Sequence, residues 1–354
     1  MGLDQKRYAR QIVLAEVGVE GQKALSEAKV LCVGAGGLGS PVLLYLAAAG
    51  VGTLGMIDDD RVDASNLQRQ ILFQESDVGV LKTEAAQARI KAQNPSIRCV
   101  QYPFQLTAAN AKEVLSQYDV VIDGTDNFST KFLINDACAS LGLPWVYGSV
   151  NRWEGQVSSF FAKEGPCYRC LYPQAPTAKI QNCAEAGVLG ATVGIVGSWQ
   201  AILALQIILP KLRPQWGCLQ VINTLSADQL NVQIQKNPDC ATCSRAPHEI
   251  KIRDSAVRKI VRKIRADELV GEYSKYQLID VRTSEEWKSG HLPHALHWPL
   301  SEIENGKFPK ERKLVLYCQS GMRSERAAQL LAGVGYTDVV ELKGGVSEWP
   351  SALE

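Results

Sequence analysis

Six residues, Gly34-Ala-Gly36-Gly37-Leu38-Gly39, constrain this chain more than any others. They follow an apolar run, Lys29–Val33, and precede an apolar helical stretch, Pro41–Ala49. Glycines Gly34, Gly36, Gly37 and Gly39 in a GxGxxG spacing let the backbone turn tightly between strand and helix. They bring N–H groups to a phosphate at the helix N-terminus. A second strand, Thr53–Ile57, ends in Asp58, where a carboxylate can accept ribose hydroxyls. On these residues alone a nicotinamide dehydrogenase, an ATP site and a glycine turn that binds nothing all stay open.

The alternation continues along the chain. Residues 1–27 read as helical and charged; helix Lys82–Gln93, strand Ile97–Tyr102, helix Ala108–Ser116 and strand Val120–Asp123 follow. Strands separated by helices of this length predict an α/β fold with a doubly wound, mostly parallel sheet, binding ligands at the carboxyl ends of its strands. Composition changes near residue 245. Residues 246–261 are rich in Arg and Lys, carry Pro247 and read as a linker without a strong strand pattern. A second, smaller α/β domain is expected over 262–354, with strands Leu278–Val281, Leu314–Tyr317 and Val339–Glu341 and helices Ser284–Ser289 and Ser324–Gly333.

Net charge is +1, which favours neither nucleic acid nor an anionic membrane as partner. The polar start MGLDQKRYARQ argues against secretion. Val188–Leu209 carries no charge, yet three glycines and four polar side chains suit a buried helix better than a membrane span. Ten cysteines in no close, even framework point to a reducing cytoplasm, with Cys32, Cys99, Cys138 and Cys218 as small core residues.

Asp60, Asn66, Arg69, Gln70 and Lys82 fall in one loop and the start of the next helix, and Asp123-Gly-Thr-Asp126-Asn127 ends another strand. Cations and carboxylates converging from separate strand ends suit a triphosphate and Mg²⁺ better than a dinucleotide. Cys167-Tyr-Arg-Cys170 and Cys240-Ala-Thr-Cys243 form two CxxC pairs about seventy residues apart. Four thiolates so paired suit a closed structural zinc, with a redox pair as the rival. Cys183, before an apolar helix, is either a packed residue or a thiol activated by the helix N-terminus.

RYARQ, GAGGLGS, DDDRVDASNLQRQ, GVLKTE, DGTDN and NCAEAGVLG together resemble the adenylating enzymes of the molybdopterin and thiamine sulfur-carrier pathways, relatives of ubiquitin-activating enzymes. The likeness covers roughly residues 4–245. It implies that Asp58 holds the ribose, Arg69, Lys82 and Asn66 serve the phosphates of ATP, and Asp126 holds Mg²⁺. It also implies a homodimer in which Arg10 reaches the nucleotide of the partner subunit, zinc on the four CxxC cysteines, and a covalent role for Cys183.

Leu278-Ile-Asp280-Val-Arg282, Gly290-His291-Leu-Pro293 and Cys318-Gln319-Ser320-Gly321-Met322-Arg323-Ser324 resemble a rhodanese domain over about 262–354. Cys318 follows an apolar strand and precedes a helix, so backbone N–H groups can surround its sulfur as thiolate or persulfide. A cysteine phosphatase loop is the rival, but it places five residues between cysteine and arginine where this chain has four. His294, and the pair His297-Trp298, depart from the family pattern, and the four histidines read as structural or surface groups.

The combined expectation is ATP-dependent adenylation of the C-terminal glycine of a small ubiquitin-like sulfur carrier ending in Gly-Gly. A Cys318 persulfide, loaded by a donor such as a cysteine desulfurase, then delivers sulfur and yields a thiocarboxylate. The competing expectation is a conjugation-activating enzyme working through a Cys183 thioester.

Overall fold

The computed structural model describes residues 4–174, 187–253, 262–270, 275–305, 308, 313–333, 336 and 338–350. The chain divides into two compact units, Met1–Ser255 and Ala256–Glu354. The division falls within the stretch read as linker. Residues just before it belong to the first unit: Ser140 Oγ donates to the Pro247 carbonyl, and Ile250 is buried.

In the first unit the strands are β1 (Lys29–Val33), β2 (Thr53–Ile57), β3 (Arg98–Tyr102), β4 (Val120–Asp123), β5 (Trp145–Asn151), β6 (Glu154–Phe160), β7 (Cys218–Asn223) and β8 (Asp228–Gln233). They form one sheet in the order β3-β2-β1-β4-β5-β6-β7-β8. From β3 to β5 the pairing is parallel; β6, β7 and β8 each run antiparallel to the strand before. β1 is apolar almost throughout because both faces are covered. Val30 and Cys32 join the layer that holds Val42 and Leu46 of helix Gly39–Ala49, whereas Leu31 and Val33 join the layer that holds Ala137 and Cys138 of helix Phe128–Leu141. Strand order reverses between β1 and β4. There the crossovers leave on opposite faces and open a crevice at the carboxyl ends.

The helix expected over Ala108–Ser116 shrinks to Ala111–Leu115. Asn110 explains the loss, since its side chain accepts from the Thr107 N–H at 2.8 Å and donates to the Gln105 carbonyl at 2.9 Å, a turn that competes with the helix. Helix Gly190–Ile208 is long and apolar enough to cross a membrane. In this fold Thr192, Val193, Val196, Gly197, Gln200, Ala201 and Ala204 are buried against helix Gly39–Ala49 and strands β5 and β6, while Ile195 and Ile202 face outward. Of the cysteines read as core, Cys32 and Cys138 are buried, and Cys99 and Cys218 are half-buried.

The second unit holds a parallel sheet in the order β11-β10-β12-β13-β9, from β9 (Arg262–Ile264), β10 (Tyr276–Asp280), β11 (Leu296–His297), β12 (Lys313–Tyr317) and β13 (Val339–Leu342). Side chains alternate between two cores: Ile279, Leu314 and Leu316 on one face, Leu278, Val315 and Tyr317 on the other. β9 corrects the sequence reading, which gave residues up to Arg265 no strand. It is three residues long, with Lys263 exposed and Ile264 buried, so alternation had too little to act on. The helix expected from Ser324 begins at Met322, which puts Arg323 and Ser324 in its first turn.

Candidate active sites and a four-cysteine cluster

The crevice at the strand-order reversal is built from two backbone turns in contact. Gly34 sits at φ +92°, and a Cβ there would lie 2.9 Å from the Gly124 backbone; a Cβ on Gly39 would lie 2.1 Å from the Gly34 carbonyl oxygen. Only glycine lets the loops after β1 and β4 approach so closely. Gly37 lies beside the Arg69 side chain, and Gly36 beside the Gln70 amide. Gln70 is buried, and its Oε1 has no hydrogen-bond partner among the described residues, which leaves an acceptor at the rim of the glycine turn.

Asp58, at the end of β2, accepts from the Ala35 N–H at 2.8 Å and from the Asp60 N–H at 3.0 Å. Burial raises its pKa above the usual carboxylate value, against the pull of Lys82. Lys82 is itself buried, with its ammonium 2.7 Å from Asp60 and 3.8 Å from Asp58. Asp58, Asp59 and Asp60 present carboxylate oxygens within 4.8 Å of one another. A buried lysine held among carboxylates at a glycine turn can meet an anionic phosphate and its accompanying cation.

Asn66 is half-buried, its amide 3.4 Å from the Ser65 hydroxyl, and the Arg69 guanidinium donates to the Ser65 carbonyl at 3.2 Å. Asp126 is exposed, and Asn127 caps helix Phe128–Leu141 by accepting from the Thr130 N–H. Arg10 is exposed in the last turn of helix Gln5–Ile12, away from the glycine turn in sequence and element. Cys183 lies outside the described residues.

Sequence reasoning missed the support beneath the Asp126 loop. Lys131 is buried and donates to Asp123 at 2.6 Å, to the Thr125 carbonyl at 2.9 Å and to the Gly148 carbonyl at 2.8 Å. Asp123 also accepts from the Thr125 N–H and hydroxyl, and its carbonyl accepts from Gln200. The only signal for Lys131 was a lysine at a position that the helical pattern marks as core.

The two CxxC pairs come together. Cys167 and Cys240 sulfurs are 3.5 Å apart, those of Cys170 and Cys243 3.4 Å, and all four lie within 4.8 Å. Tetrahedral zinc with bonds of about 2.3 Å sets sulfurs roughly 3.8 Å apart, so this donor set fits it. The thiols hydrogen-bond to one another, that of Cys167 foremost, which lowers Cys170 and Cys240 while Cys167 and Cys243 are raised, so without a metal the four share protons, and a bound metal takes them as thiolates. One carboxylate ties both loops. Asp136 receives the Arg169 fork at 2.8 and 2.7 Å and the Thr242 hydroxyl at 2.9 Å, so an inner residue of each CxxC rests on the same group. Neither spacing nor composition marked Asp136.

In the second unit Cys318 follows directly on β12, buried, with the Gly321 N–H 3.2 Å and the Ser324 hydroxyl 3.6 Å from its sulfur. The Cys318 carbonyl accepts from Val346 N–H at 2.9 Å, and a Cβ on Gly345, at φ +61°, would lie 2.2 Å from that carbonyl oxygen. The Gly344-Gly345 turn thus seats the loop. Gln319 and Ser320 are exposed at its tip, and Arg323 forks onto Glu286 at 2.7 and 2.6 Å. Arg282 is buried, paired with Asp280 and donating to the Gly290 carbonyl. The Trp287 ring of helix Ser284–Lys288 stacks on His291 at 3.7 Å and on His297 of β11 at 4.9 Å, so both histidines are packing groups.

The family comparison agrees with this geometry. The ThiF family matches residues 8–242, and the rhodanese-like domain matches residues 265–352. The chain is 39% identical to the probable adenylyltransferase/sulfurtransferase MoeZ of Mycobacterium tuberculosis, over 98% of this chain and 93% of the relative. It is 37% identical to the adenylyltransferase and sulfurtransferase MOCS3 of Sus scrofa, over 98% and 86%. With the sulfur carrier protein adenylyltransferase of Thermus thermophilus it shares 45% identity, over 70% of this chain and 94% of that one. Among solved structures, E. coli MccB with ATP superposes with a TM-score of 0.61 at 21% identity, covering 69% of this chain and 76% of that chain, which establishes a common fold. The chain therefore belongs to the ThiF family of adenylyltransferases and carries a rhodanese-like sulfurtransferase unit behind it.

Proposed function

We propose that the first unit uses ATP to adenylate the C-terminal glycine of a small ubiquitin-like sulfur carrier, and that Cys318 supplies the sulfur converting it to a thiocarboxylate. The observation that carries this reading is the Cys318 loop itself, a buried sulfur facing a backbone N–H, in the same chain as a glycine crevice lined by Lys82 and Asp58.

Asp58 takes the ribose hydroxyls, and the N–H groups of the turn from Gly34 to Gly39 take phosphate oxygens. Arg69 and Lys82 hold charge that builds on the phosphates as the carrier carboxylate attacks phosphorus and pyrophosphate leaves. Lys82 leaves Asp60 for the phosphate, an exchange of one anion for another. Asn66, Gln70 and Asn127 orient the same group, and Asp126 and Asp60 hold Mg²⁺, which neutralises phosphate charge when bound. Arg10 serves the crevice of the partner subunit in a homodimer; exposed Val13, Leu14, Ile195 and Ile202 give apolar surface for that contact.

Zinc on Cys167, Cys170, Cys240 and Cys243 is structural in this reading, since four thiolates leave it no open position. Cys318 persulfide attacks the acyl-adenylate, releasing AMP and leaving an acyl disulfide. Cys183 or an external thiol then frees the carrier thiocarboxylate. Carrying both groups on one polypeptide raises their effective concentration.

Cys318→Ala tests the assignment. ATP–pyrophosphate exchange in the presence of carrier persists, and thiocarboxylate formation falls at least a hundredfold. Unchanged thiocarboxylate yield means the second unit is not the sulfur source.

A further inference from the structure

Glu341 is a buried carboxyl group with no part in the chemistry so far. It lies on β13 opposite Leu316 of β12, two residues before Cys318, and is 1% exposed. Its Oε1 is 3.2 Å from the Ser324 hydroxyl, and a Cβ on Gly321 would lie 2.8 Å from it, so the carboxyl sits directly against the Cys318 loop. Its Oε2 is 3.8 Å from the Lys263 ammonium, beyond hydrogen-bond reach, and has no hydrogen-bond partner among the described residues.

Ser324 connects this group to the reacting sulfur. Its hydroxyl lies 2.9 Å from the Gly321 carbonyl, 3.2 Å from Glu341 and 3.6 Å from the Cys318 sulfur, and it has one proton to give. When Glu341 is ionised, the hydroxyl points at the carboxylate and can accept from a Cys318 thiol. When Glu341 is protonated, the carboxylic acid donates to the hydroxyl, which is then free to donate to a Cys318 thiolate. The proton on Glu341 and the charge on Cys318 are linked by one rotating O–H.

We propose that Glu341 is a positioning residue for the sulfur-transfer step: it takes up the Cys318 thiol proton through Ser324, and in its protonated form leaves the Ser324 hydroxyl free to donate to Cys318, and then to its persulfide, as an anion, whereas ionised Glu341 holds that hydroxyl and slows the sulfur. This inference rests on the sulfur-transfer reading above. The step balances with a persulfide donor, R–S–SH. Cys318–SH, Glu341 carboxylate and R–S–SH give Cys318–S–S⁻, Glu341 carboxylic acid and R–SH. A bond forms between the Cys318 sulfur and the donor's outer sulfur. The donor S–S bond breaks, its electron pair leaves with R–S, and the donor's own S–H proton ends on that sulfur.

Burial raises the Glu341 pKa to about 7, with Lys263 pulling the other way and Glu325 and Glu348 adding to the rise. Lys263 is shared with Glu325, 3.2 Å away. On the Cys318 side the charged neighbours are Arg323 and the Glu286 that holds it. Glu341 thus changes protonation where a thiol proton needs an acceptor.

The test is the rate at which iodoacetamide alkylates Cys318 in the full chain, read by mass spectrometry of the Cys318 peptide from pH 5 to 9. The native protein is expected to show an inflection near pH 7 besides the rise due to the thiol itself. Glu341→Gln keeps shape and a permanent N–H donor; it is expected to lose that inflection and to alkylate at least threefold faster at pH 8. Ser324→Ala, which keeps the carboxyl and removes the hydroxyl, is expected to lose it too. A native profile without the inflection overturns the proposal, as does either variant retaining it at full size. Alkylation reads the thiol alone, so failure here leaves the sulfur-donor role, tested by Cys318→Ala, standing.

Discussion

Arg323 and Glu286 fix where positive charge stands beside Cys318. The bidentate pair is two-thirds buried, and the Arg323 hydrogen bonds lower the Glu286 pKa to about 2 from the ordinary 4.5. A carboxylate whose pKa is lower folded than unfolded stabilises above its ordinary value, and that contribution disappears as pH falls through its folded value. For Glu286 the loss runs from about pH 4.5 down to about 2. Glu286→Gln is expected to cost about 1 kcal/mol at pH 7, a figure held down by the pair's partial exposure. Urea midpoints measured at pH 7 and pH 3 check this: the gap between native and variant protein closes at the lower pH, and a gap of equal size at both contradicts it. The sequence disclosed Arg323 through its place in the Cys318 loop but not Glu286, because a partner supplied by another element carries no local mark. His294 was legible as a departure without a cause. Its φ of +57° supplies one, since a turn in that conformation favours a small residue.

Elements explain why the two CxxC pairs meet. The first brackets the start of a short helix, Tyr168–Leu171, after β6, the second sits in the loop after β8, and both lie over helix Phe128–Leu141, whose Asp136 takes Arg169 and Thr242. Arg169 also stacks on Phe132 of that helix at 4.5 Å. Removing the carboxyl charge leaves a half-buried guanidinium unpaired and both loops untied. Loaded with zinc, as proposed for this cluster, Asp136→Asn is therefore expected to lose the metal to a chelator 10–100 times faster than the native sequence loaded in the same way. Zinc release followed with a colorimetric chelator checks it, and native-like release would remove Asp136 from the account. At this scale the sequence was most readable where apolar runs are continuous. β1, β2, β4 and helix Lys82–Gln93 form over the residues their patterns mark. It was least readable where a side chain or register outside the segment decides, as with Asn110 shortening its helix or β13 templating β9. In the uncharged stretch before Leu209 two glycines serve close contact, since a Cβ on Gly190 would lie 2.3 Å from the Gln68 carbonyl oxygen and one on Gly197 2.6 Å from that of Leu38, whereas Gly194 faces open space.

On the scale of the whole molecule, two candidate loops of different chemistry share one chain. One is a glycine turn with a lysine among carboxylates, suited to anionic phosphate; the other is a strand-to-helix loop that presents the Gly321 N–H and the Ser324 hydroxyl to sulfur. The order of the two domains was readable because each is marked by short contiguous motifs. The supports Lys131 and Glu341, and Asp136 beneath the CxxC pairs, were not, because each is a charged residue that the local pattern of its own element does not tie to the group it holds. The central claim is that the first unit activates a carrier carboxylate. Carrier-dependent exchange of labelled pyrophosphate into ATP measures that step without the rest of the cycle. With a purified Gly-Gly-tailed carrier the native protein is expected to exchange label, and Asp126→Ala to lower the rate at least a hundredfold; no exchange above background with any such carrier would contradict the account.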